Sequence, residues 1–482
     1  MLVLGWLIAA SLHAGERAQW AQFRGPNGSG VSLEKKRLPV HFGPAKNVAW
    51  KTPLPSGHSS PCLWNERIFL TAFHEDAQKL ETLCLDRANG KILWRKTAPA
   101  KVIEKVHKIS SPAAPTPATD GERVYVYFGS CGLLCYDLNG KVLWQKELPI
   151  PSTKTFGTGT SPAVIGDLVV LNGQGEGLPL RAVHRKTGAP AWDAAFIGAG
   201  YSVPVLWRHD GIEQIIVQSR TRLTSFNLNG TMRWSIEGMP LDAITTPVLG
   251  DGHLFVNFTT PGGDAQDRTL MSFDDALAKY DKNKDNKLTL DELPKDLVFI
   301  DRGVGYAGTE GGDITIDRLI EIKKLPKELS RELWEKLRHP KVEGGSGLMA
   351  FRPGAKGVVE RKDRVWSTNK NLPEVPSPLY YRGNLYLFRK GGIASCLDAR
   401  TGKELAKERL VPATGNYYSS PVAGDGKIYV AAESGMLFVI EAGNDLKVLA
   451  PNNLGERIMA TPAIADGTLY VRTERHLFAF RD

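Results

Sequence analysis

Eight short approaches to a proline punctuate this chain of 482 residues. They are SSP at Pro61, PTP at Pro117, TSP at Pro162, SVP at Pro204, TTP at Pro247, PSP at Pro378, SSP at Pro421 and ATP at Pro462. Apart from one gap of 131 residues between Pro247 and Pro378, successive prolines stand 41 to 56 residues apart. Each approach leads into two β-rich runs across a short turn, as in AVIGDLVVL, PVLGDGHLFV, VAGDGKIYV and AIADGTLYV. Asp-Gly and Gly-Asp between such runs are hairpin signals. A second half-unit follows, typified by LLCYDLNGKVLW, Leu133 to Trp144. It reads as a strand, a two-residue turn at Asn139-Gly140 and a second strand. Its glycine-to-tryptophan offset recurs at Gly90/Trp94, Gly188/Trp192 and Gly230/Trp234, and becomes Gly402/Ala406 in a worn copy. Four strands in about 40–45 residues make one propeller blade. Eight approaches therefore predict an all-β, eight-bladed β-propeller. Only three strand-like runs follow Pro462, and the missing fourth is available in NVAWKTPL around Trp50. Pairing it with the last blade closes the ring and removes the two free sheet edges.

The predicted segments are a signal peptide (1–14), a first propeller part (15–267, closing strand near 47–54), an insertion (268–344) and a second propeller part (345–482). LVLGWLIAASLHA has signal-peptide length, with cleavage placed after Ala14, and is too short for a stable transmembrane helix. The expected location is periplasmic or secreted. No later segment reads as a membrane span. Lysines and arginines are scattered under a net charge of +9, which argues against a nucleic-acid partner. Five cysteines leave no complete disulfide framework. Cys84, Cys135 and Cys396 each lie two residues before the repeat aspartate, where another copy has Ala182, so a small buried residue is expected there.

The copies CLDRANGKILW, AVHRKTGAPAW and CLDARTGKEL resemble the A-x-D-x-x-T-G-x-x-x-W repeat of quinoprotein-type propellers. That group includes pyrroloquinoline-quinone (PQQ) alcohol dehydrogenases and the outer-membrane assembly lipoprotein BamB. The resemblance covers residues 45–260 and 345–482. It implies that the tryptophans dock between neighbouring blades and that Asp and Gly hold the turns. The dehydrogenases place an adjacent Cys-Cys disulfide over the quinone and a calcium near a catalytic aspartate. This chain has no adjacent cysteines and no C-x-x-C-H haem motif.

The 131-residue gap turns helical from Ser272 to Tyr280 and then presents DKNKDNKLTLDE. In register this is a 12-residue EF-hand loop. Asp281, Asn283 and Asp285 occupy positions 1, 3 and 5, Lys287 offers its carbonyl at 7, and Glu292 is the bidentate candidate at 12. Calcium needs several hard oxygens on a bent loop, and this spacing provides them. Asn286 replaces the usual glycine at position 6. A metal-free partner loop is expected at Gly311 to Leu319, and a last helix in KELSRELWEKL.

The insertion falls between the second and third strands of the fifth blade, on the face that carries the connectors between blades. Those connectors bring His58, His107, Tyr201, Asp242, Tyr417, Tyr418 and Arg457 to one mouth. The expected function is a non-catalytic scaffold that binds a protein or small-molecule ligand at the mouth, with calcium on the insertion. The alternative is a PQQ-dependent or related oxidoreductase that uses the central funnel.

Overall fold

The computed structural model describes residues 19–151, 156–173, 178–194, 200–209, 211–219, 222–237, 239, 243–259, 271–295, 297–300, 314–316, 325–338, 347–352, 357–358 and 363–482. The signal-peptide segment lies outside them. Among the described residues, eight sheets built on four antiparallel strands follow one another, the eight expected blades. Each first strand begins directly after its proline: Cys62–Trp64, Ala118–Thr119, Ala163–Ile165, Val205–His209, Val248–Gly250, Leu379–Tyr381, Val422–Gly424 and Ala463–Ala465. A proline there costs no ladder bond, because it precedes the strand. The strand Val48–Pro53 pairs with His476–Phe480, so the N-terminal part of the chain completes blade 8. In blade 4 a short run, Gly357–Val358, adds in parallel to Met232–Ile236.

The turns fall into two kinds. Between first and second strands, Asp251-Gly252, Asp425-Gly426 and Asp466-Gly467 all have positive φ at both residues, the two-residue turn that suits strand twist. Between third and fourth strands the expected two-residue turn at Asn139-Gly140 is not what forms. Asp137 N–H donates to Lys141 O (2.9 Å) and Gly140 N–H to Asp137 O (3.0 Å), so three residues make the loop. Only Gly140 has positive φ (+83°). The Asp137 carboxylate accepts from the amides of Asn139 (2.8 Å) and Lys141 (2.9 Å), which fixes the longer loop.

Two rings hold the blades together. In the outer one, a tryptophan on the fourth strand packs on the glycine turn of the next blade. Its indole N–H donates to a carbonyl there: Trp50 to Arg87 (3.0 Å), Trp94 to Leu138 (3.0 Å), Trp144 to Arg185 (3.1 Å), Trp192 to Leu228 (2.9 Å) and Trp366 to Ala399 (3.0 Å). A Cβ on Gly188 would lie 2.6 Å from the Trp144 ring, so the turn needs glycine for space as well as for φ. Each such tryptophan faces a small residue across its own hairpin: Cys84↔Trp94, Cys135↔Trp144, Ala182↔Trp192 and Ala350↔Trp366. The cysteines at these positions are buried and free. Trp234 departs from the pattern and donates within its own blade to Gln214 (3.0 Å).

The inner ring runs through the residues that precede the prolines. The hydroxyl of one blade accepts the backbone N–H of the blade before it. Ser60 N–H meets Thr116 (2.9 Å), Thr116 meets Ser161 (2.9 Å), Val203 meets Thr246 (3.4 Å) and Thr246 meets Ser377 (3.0 Å). Ser377 then meets Ser420 (3.0 Å), Ser420 meets Thr461 (3.0 Å) and Thr461 closes on Ser60 (3.0 Å). One link is absent among the described residues: Ser161 faces blade 4, where Val203 has no hydroxyl. A buried N–H without a partner is costly, which is why Ser and Thr recur there.

Residues 19–32 cross the axis on the side away from the mouth. Trp20 exchanges backbone hydrogen bonds with Leu63 of blade 1, Ala21 O accepts from Thr119 of blade 2, and Gly30 O accepts from Ala423 of blade 7. The Asn27 side chain bonds both ways to Leu206 of blade 4. Arg24 Nη2 donates to Pro378 O of blade 6 (2.7 Å). The segment thus covers the inner edges of the first strands and stops that end of the channel. Trp20 and Arg24 have no solvent exposure.

The insertion lies between His253–Phe258 and Gly347–Phe351, which pair as second and third strands of blade 5. It contains helix α1 (Phe273–Tyr280), helix α2 (Arg331–Arg338) and a two-stranded ladder, Val298–Ile300 with Ile314–Thr315. Ser272 caps α1 by accepting from Asp275 N–H (3.2 Å). Phe273, Ala276, Tyr280, Leu288, Leu329 and Trp334 share one apolar core. No helix of the described residues is long and apolar enough to cross a membrane.

Candidate functional site

A cavity of about 300 Å³ opens at the mouth where blades 8, 1 and 2 meet. His58, His107 and Arg457, brought by three different connectors, line it together with Arg472, Glu75 and Glu474. Backbone contacts set the connectors. The amides of His58 and Ser59 both donate to Ala113 O (3.1 Å), and Glu474 N–H donates to Arg457 O (2.9 Å). The fold therefore gathers three of the seven expected mouth residues into one site.

Arg472 ends the second strand of blade 8, Thr468–Arg472, and is 1% exposed. Its Nη1 donates to Ser59 Oγ (2.6 Å) and to the carbonyls of Thr71 (2.8 Å) and Ser59 (3.2 Å), and its Nη2 to Pro55 O (3.3 Å). Its Nε has no partner among the described residues. No carboxylate offsets its charge, and burial alone pushes its pKa down to about 9. The guanidinium stays charged at neutral pH. A Cβ on Gly57 would lie 2.5 Å from Nη2, so only glycine lets the connector close over it.

Arg457 is neutralised instead. Its Nε (2.8 Å) and Nη2 (2.6 Å) both meet Glu433 Oε1, and Asn416 donates to the other oxygen (2.9 Å). Burial, then the charges of Arg472 and Arg457, push His58 down to about 3, so its ring is neutral. His107 Nδ1 accepts from Ile109 N–H (3.3 Å), which leaves Nε2 as the ring's donor. The ring packs at a tilt against Phe156, with centroids 5.3 Å apart. Glu75 and Glu474 are exposed at the lip. Charge is thus sorted by depth: Arg472 is the one unbalanced cation inside, and the exposed lip carries Glu75, Glu474 and Lys108.

The other expected mouth residues are not in this cavity. Tyr417 is buried, and its hydroxyl donates to Ala413 O of its own connector (2.8 Å), a capping role. Tyr418 feels the charges of both Glu433 and Arg457, and burial pushes its hydroxyl up to about 12. Tyr201 belongs to blades 3 and 4, where its ring covers Gly159. Asp242 lies outside the described residues. Arg472 and Glu433 were not anticipated. The only trace of Arg472 in the sequence is a charged residue closing the fully buried strand TLYVR.

In the insertion, α1 runs into the loop from Asp281. The Asp281 carboxylate accepts from the amides of Asn286 (2.9 Å) and Asp285 (3.3 Å), and Asn283 Oδ1 accepts from Asp285 N–H (2.9 Å). Asp285 accepts from Lys287 N–H (2.8 Å). Glu292 reaches back to the amides of Thr289 (2.9 Å) and Lys282 (3.2 Å). Lys284 and Asn286 take positive φ, so Asn286 makes the bend that glycine usually makes. The last three residues of the loop, Leu290–Glu292, form a single 3₁₀ turn before Pro294, where an EF-hand begins a longer helix. The loop pairs with Lys327–Leu329, through a Thr289↔Glu328 bridge and Leu329 N–H to Leu288 O (2.8 Å). Of the expected partner stretch, Gly311 to Leu319, residues 314–316 are described. From that stretch Ile316 enters the shared core, and its other described residues, Ile314 and Thr315, pair with Val298–Ile300.

The oxygen donors suit a hard cation. Among the described residues, though, no three His, Cys, Asp or Glu side chains stand close enough to hold an ion. Coordination would require Asp281, Asp285 and Glu292 to draw together. The residues do not fit PQQ as the dehydrogenases hold it. All five cysteines are free, Cys131 and Cys135 lie four positions apart on one hairpin, and no carboxylate cluster stands beside the mouth cavity.

No curated protein matches the chain. Among solved structures, BamB from Moraxella catarrhalis is similar at a TM-score of 0.52 and 12% identity, covering 90% of this chain and 98% of that one. A europium-containing methanol dehydrogenase gives 0.55 at 12% identity, covering 96% and 98%. The quinohemoprotein alcohol dehydrogenase ADHIIG from Pseudomonas putida HK5 gives 0.53 at 11%, covering 97% and 80%. At such identities the likeness is one of fold. A family profile matches residues 42–205 and 356–482, more than half of the chain, and the chain accordingly belongs to the PQQ-type propeller family described as outer membrane protein assembly factor BamB.

Proposed function

We propose that this protein is an exported, non-catalytic propeller scaffold that binds a partner protein or ligand at its mouth, with calcium on the insertion. The observation that carries the reading is the convergence of His58, His107 and Arg457 from three connectors on one cavity. Concave sites lined by a few convergent polar groups are the usual places for ligands. Family membership supports the scaffold reading, since the family is described by an assembly factor. The stopped channel supports it too, because a partner can approach the axis only from the mouth. In the insertion, Asp281, Asn283, Asp285, the Lys287 carbonyl and Glu292 would hold calcium, which would tighten the loop against Lys327–Leu329. The test places a photo-crosslinking residue at His107, and another at Asn139 on the opposite face, in cells that make the protein. A specific adduct from position 107 alone is expected. Equal adducts from both positions, or quinone-dependent alcohol oxidation by the reconstituted protein, would sink the reading.

A further inference from the structure

We propose that the mouth cavity is a receptor for a single carboxylate, with Arg472 as the buried counter-charge. The inference deepens the scaffold reading and rests on it. The cavity has room for a small acid or an acidic side chain, at about 300 Å³. Its charge decides the class of ligand. Arg457 is cancelled by Glu433 through two short contacts, and His58 is neutral, so one positive charge remains inside. Arg472 is 1% exposed, and its Nε–H has no acceptor among the described residues. A buried ion is retained only where something balances it. The carboxylates of the lining, Glu75 and Glu474, are exposed at the lip beside the equally exposed Lys108 and leave the interior unbalanced. One unit of positive charge matches a monoanion and not a phosphate dianion.

Donors stand ready around the same space. His107 has Nε2 left as its ring donor, because Nδ1 accepts from the Ile109 amide. Ser56 and Ser110 line the cavity with hydroxyls. The Arg472 Nη groups are spent on Ser59 Oγ and on the carbonyls of Ser59, Thr71 and Pro55, which hold the guanidinium rigid. The lip, where Glu75 and Glu474 outnumber Lys108, adds a net negative charge that disfavours a strongly anionic ligand more than one with a single carboxylate. On a partner protein, the matching feature is one acidic side chain or chain terminus presented on an otherwise uncharged tip.

The probe pair is benzoate and benzamide, alike in shape and different in charge, titrated into the full chain by calorimetry. The ring resonances of His58 and His107 are followed by NMR. Benzoate is expected to bind one to one, about tenfold or more tighter than benzamide, and to move both histidine resonances. Ser110→Trp, which fills the cavity, is expected to abolish binding, and Arg472→Met to equalise the two probes. If Arg472→Met fails to fold, Ser110→Trp and the resonances still locate the site. Equal affinity for the two probes overturns the carboxylate receptor while leaving a binding cavity at the mouth. Failure of both probes also overturns it, and the scaffold reading then stands or falls by the crosslinks at position 107. Benzoate binding that survives Ser110→Trp and leaves both histidines unmoved places the anion elsewhere and refutes the proposal.

Discussion

Thr461 and Val203 occupy the same place in two different blades, and exchanging their chemistry should move stability in opposite directions. Thr461 Oγ1 accepts the Ser420 amide at 3.0 Å, and both residues are buried. Thr461→Val keeps the shape and strands that amide. Leaving a buried donor unsatisfied costs ~1–3 kcal/mol. At the blade 3–4 junction the situation is reversed. No hydroxyl of blade 4 meets the buried Ser161 there, because Val203, 2% exposed, fills the slot where a hydroxyl stands elsewhere. Val203→Thr should return about 1 kcal/mol. For a chain of 482 residues the unfolding entropy makes each kcal/mol worth about 1 °C in Tm. Calorimetry should therefore show Thr461→Val melting ~1–3 °C lower and Val203→Thr about 1 °C higher. If both variants fall by the same amount, the hydroxyl merely fills space and the inner ring is not a chain of hydrogen bonds. If neither moves, the amides are satisfied by water.

Gly188→Ala should lose ~1–3 kcal/mol in urea unfolding, because φ is +70° and the new methyl meets the Trp144 ring at 2.6 Å. Trp20→Ala should cost ~3–5 kcal/mol, whereas Trp20→Phe should cost much less, since the Trp20 Nε1 has no partner to lose; equal losses would mean the indole N–H matters. Calcium calorimetry should give one site per chain that weakens sharply in Glu292→Gln, and identical heats would remove the insertion loop from the account. Burial alone would raise the Glu456 carboxyl, but Thr473 (2.6 Å), His476 (2.7 Å) and the charge of Arg475 outweigh it and hold it below the usual carboxylate range. Its contribution is thus present above the unfolded value of about 4.3 and lost as pH falls through the lower folded value. Urea midpoints from pH 7 to pH 2.5 should fall less steeply at the acid end in Glu456→Gln, and parallel curves would refute the assignment.

The propeller was legible because its signals are local and repeated. Pro before a strand, Asp-Gly in a tight turn and Gly four residues before Trp each act within one hairpin. Where a signal depends on side-chain bonding, reading it from residue types failed. Asn139-Gly140 has the composition of a two-residue turn, yet Asp137 captures two amides and makes a three-residue loop. Trp366 was missed because blade 5 is split by the insertion, which separates that tryptophan from the other copies. The stretch FRGPNGSG has no period and reads as a loop, although five blades hydrogen-bond to the segment around it. At the mouth, His58, His107 and Arg457 were visible as polar residues on connectors. Arg472 and Glu433 were not, because one hides at the buried end of a strand and the other acts through Arg457.

The division of labour between the faces explains why function concentrates on one of them. The tryptophan ring and the hydroxyl ring both bind blade to blade, and of the connectors' own side chains they need only the hydroxyl directly before each proline. The rest of each connector can therefore vary without loosening the scaffold, and among the described residues five of the eight contribute nothing to the cavity. On the opposite side residues 19–32 are committed to the inner edges of the first strands, where Trp20 and Arg24 are wholly buried, and a partner there would have to displace them. Displacement would strand the paired amides of Leu63, Thr119 and Ala423. The mouth carries no such penalty. Its cavity is already formed, its cation is already buried, and the cost of desolvating Arg472 has been met in folding, so an incoming carboxylate need only lose its own water.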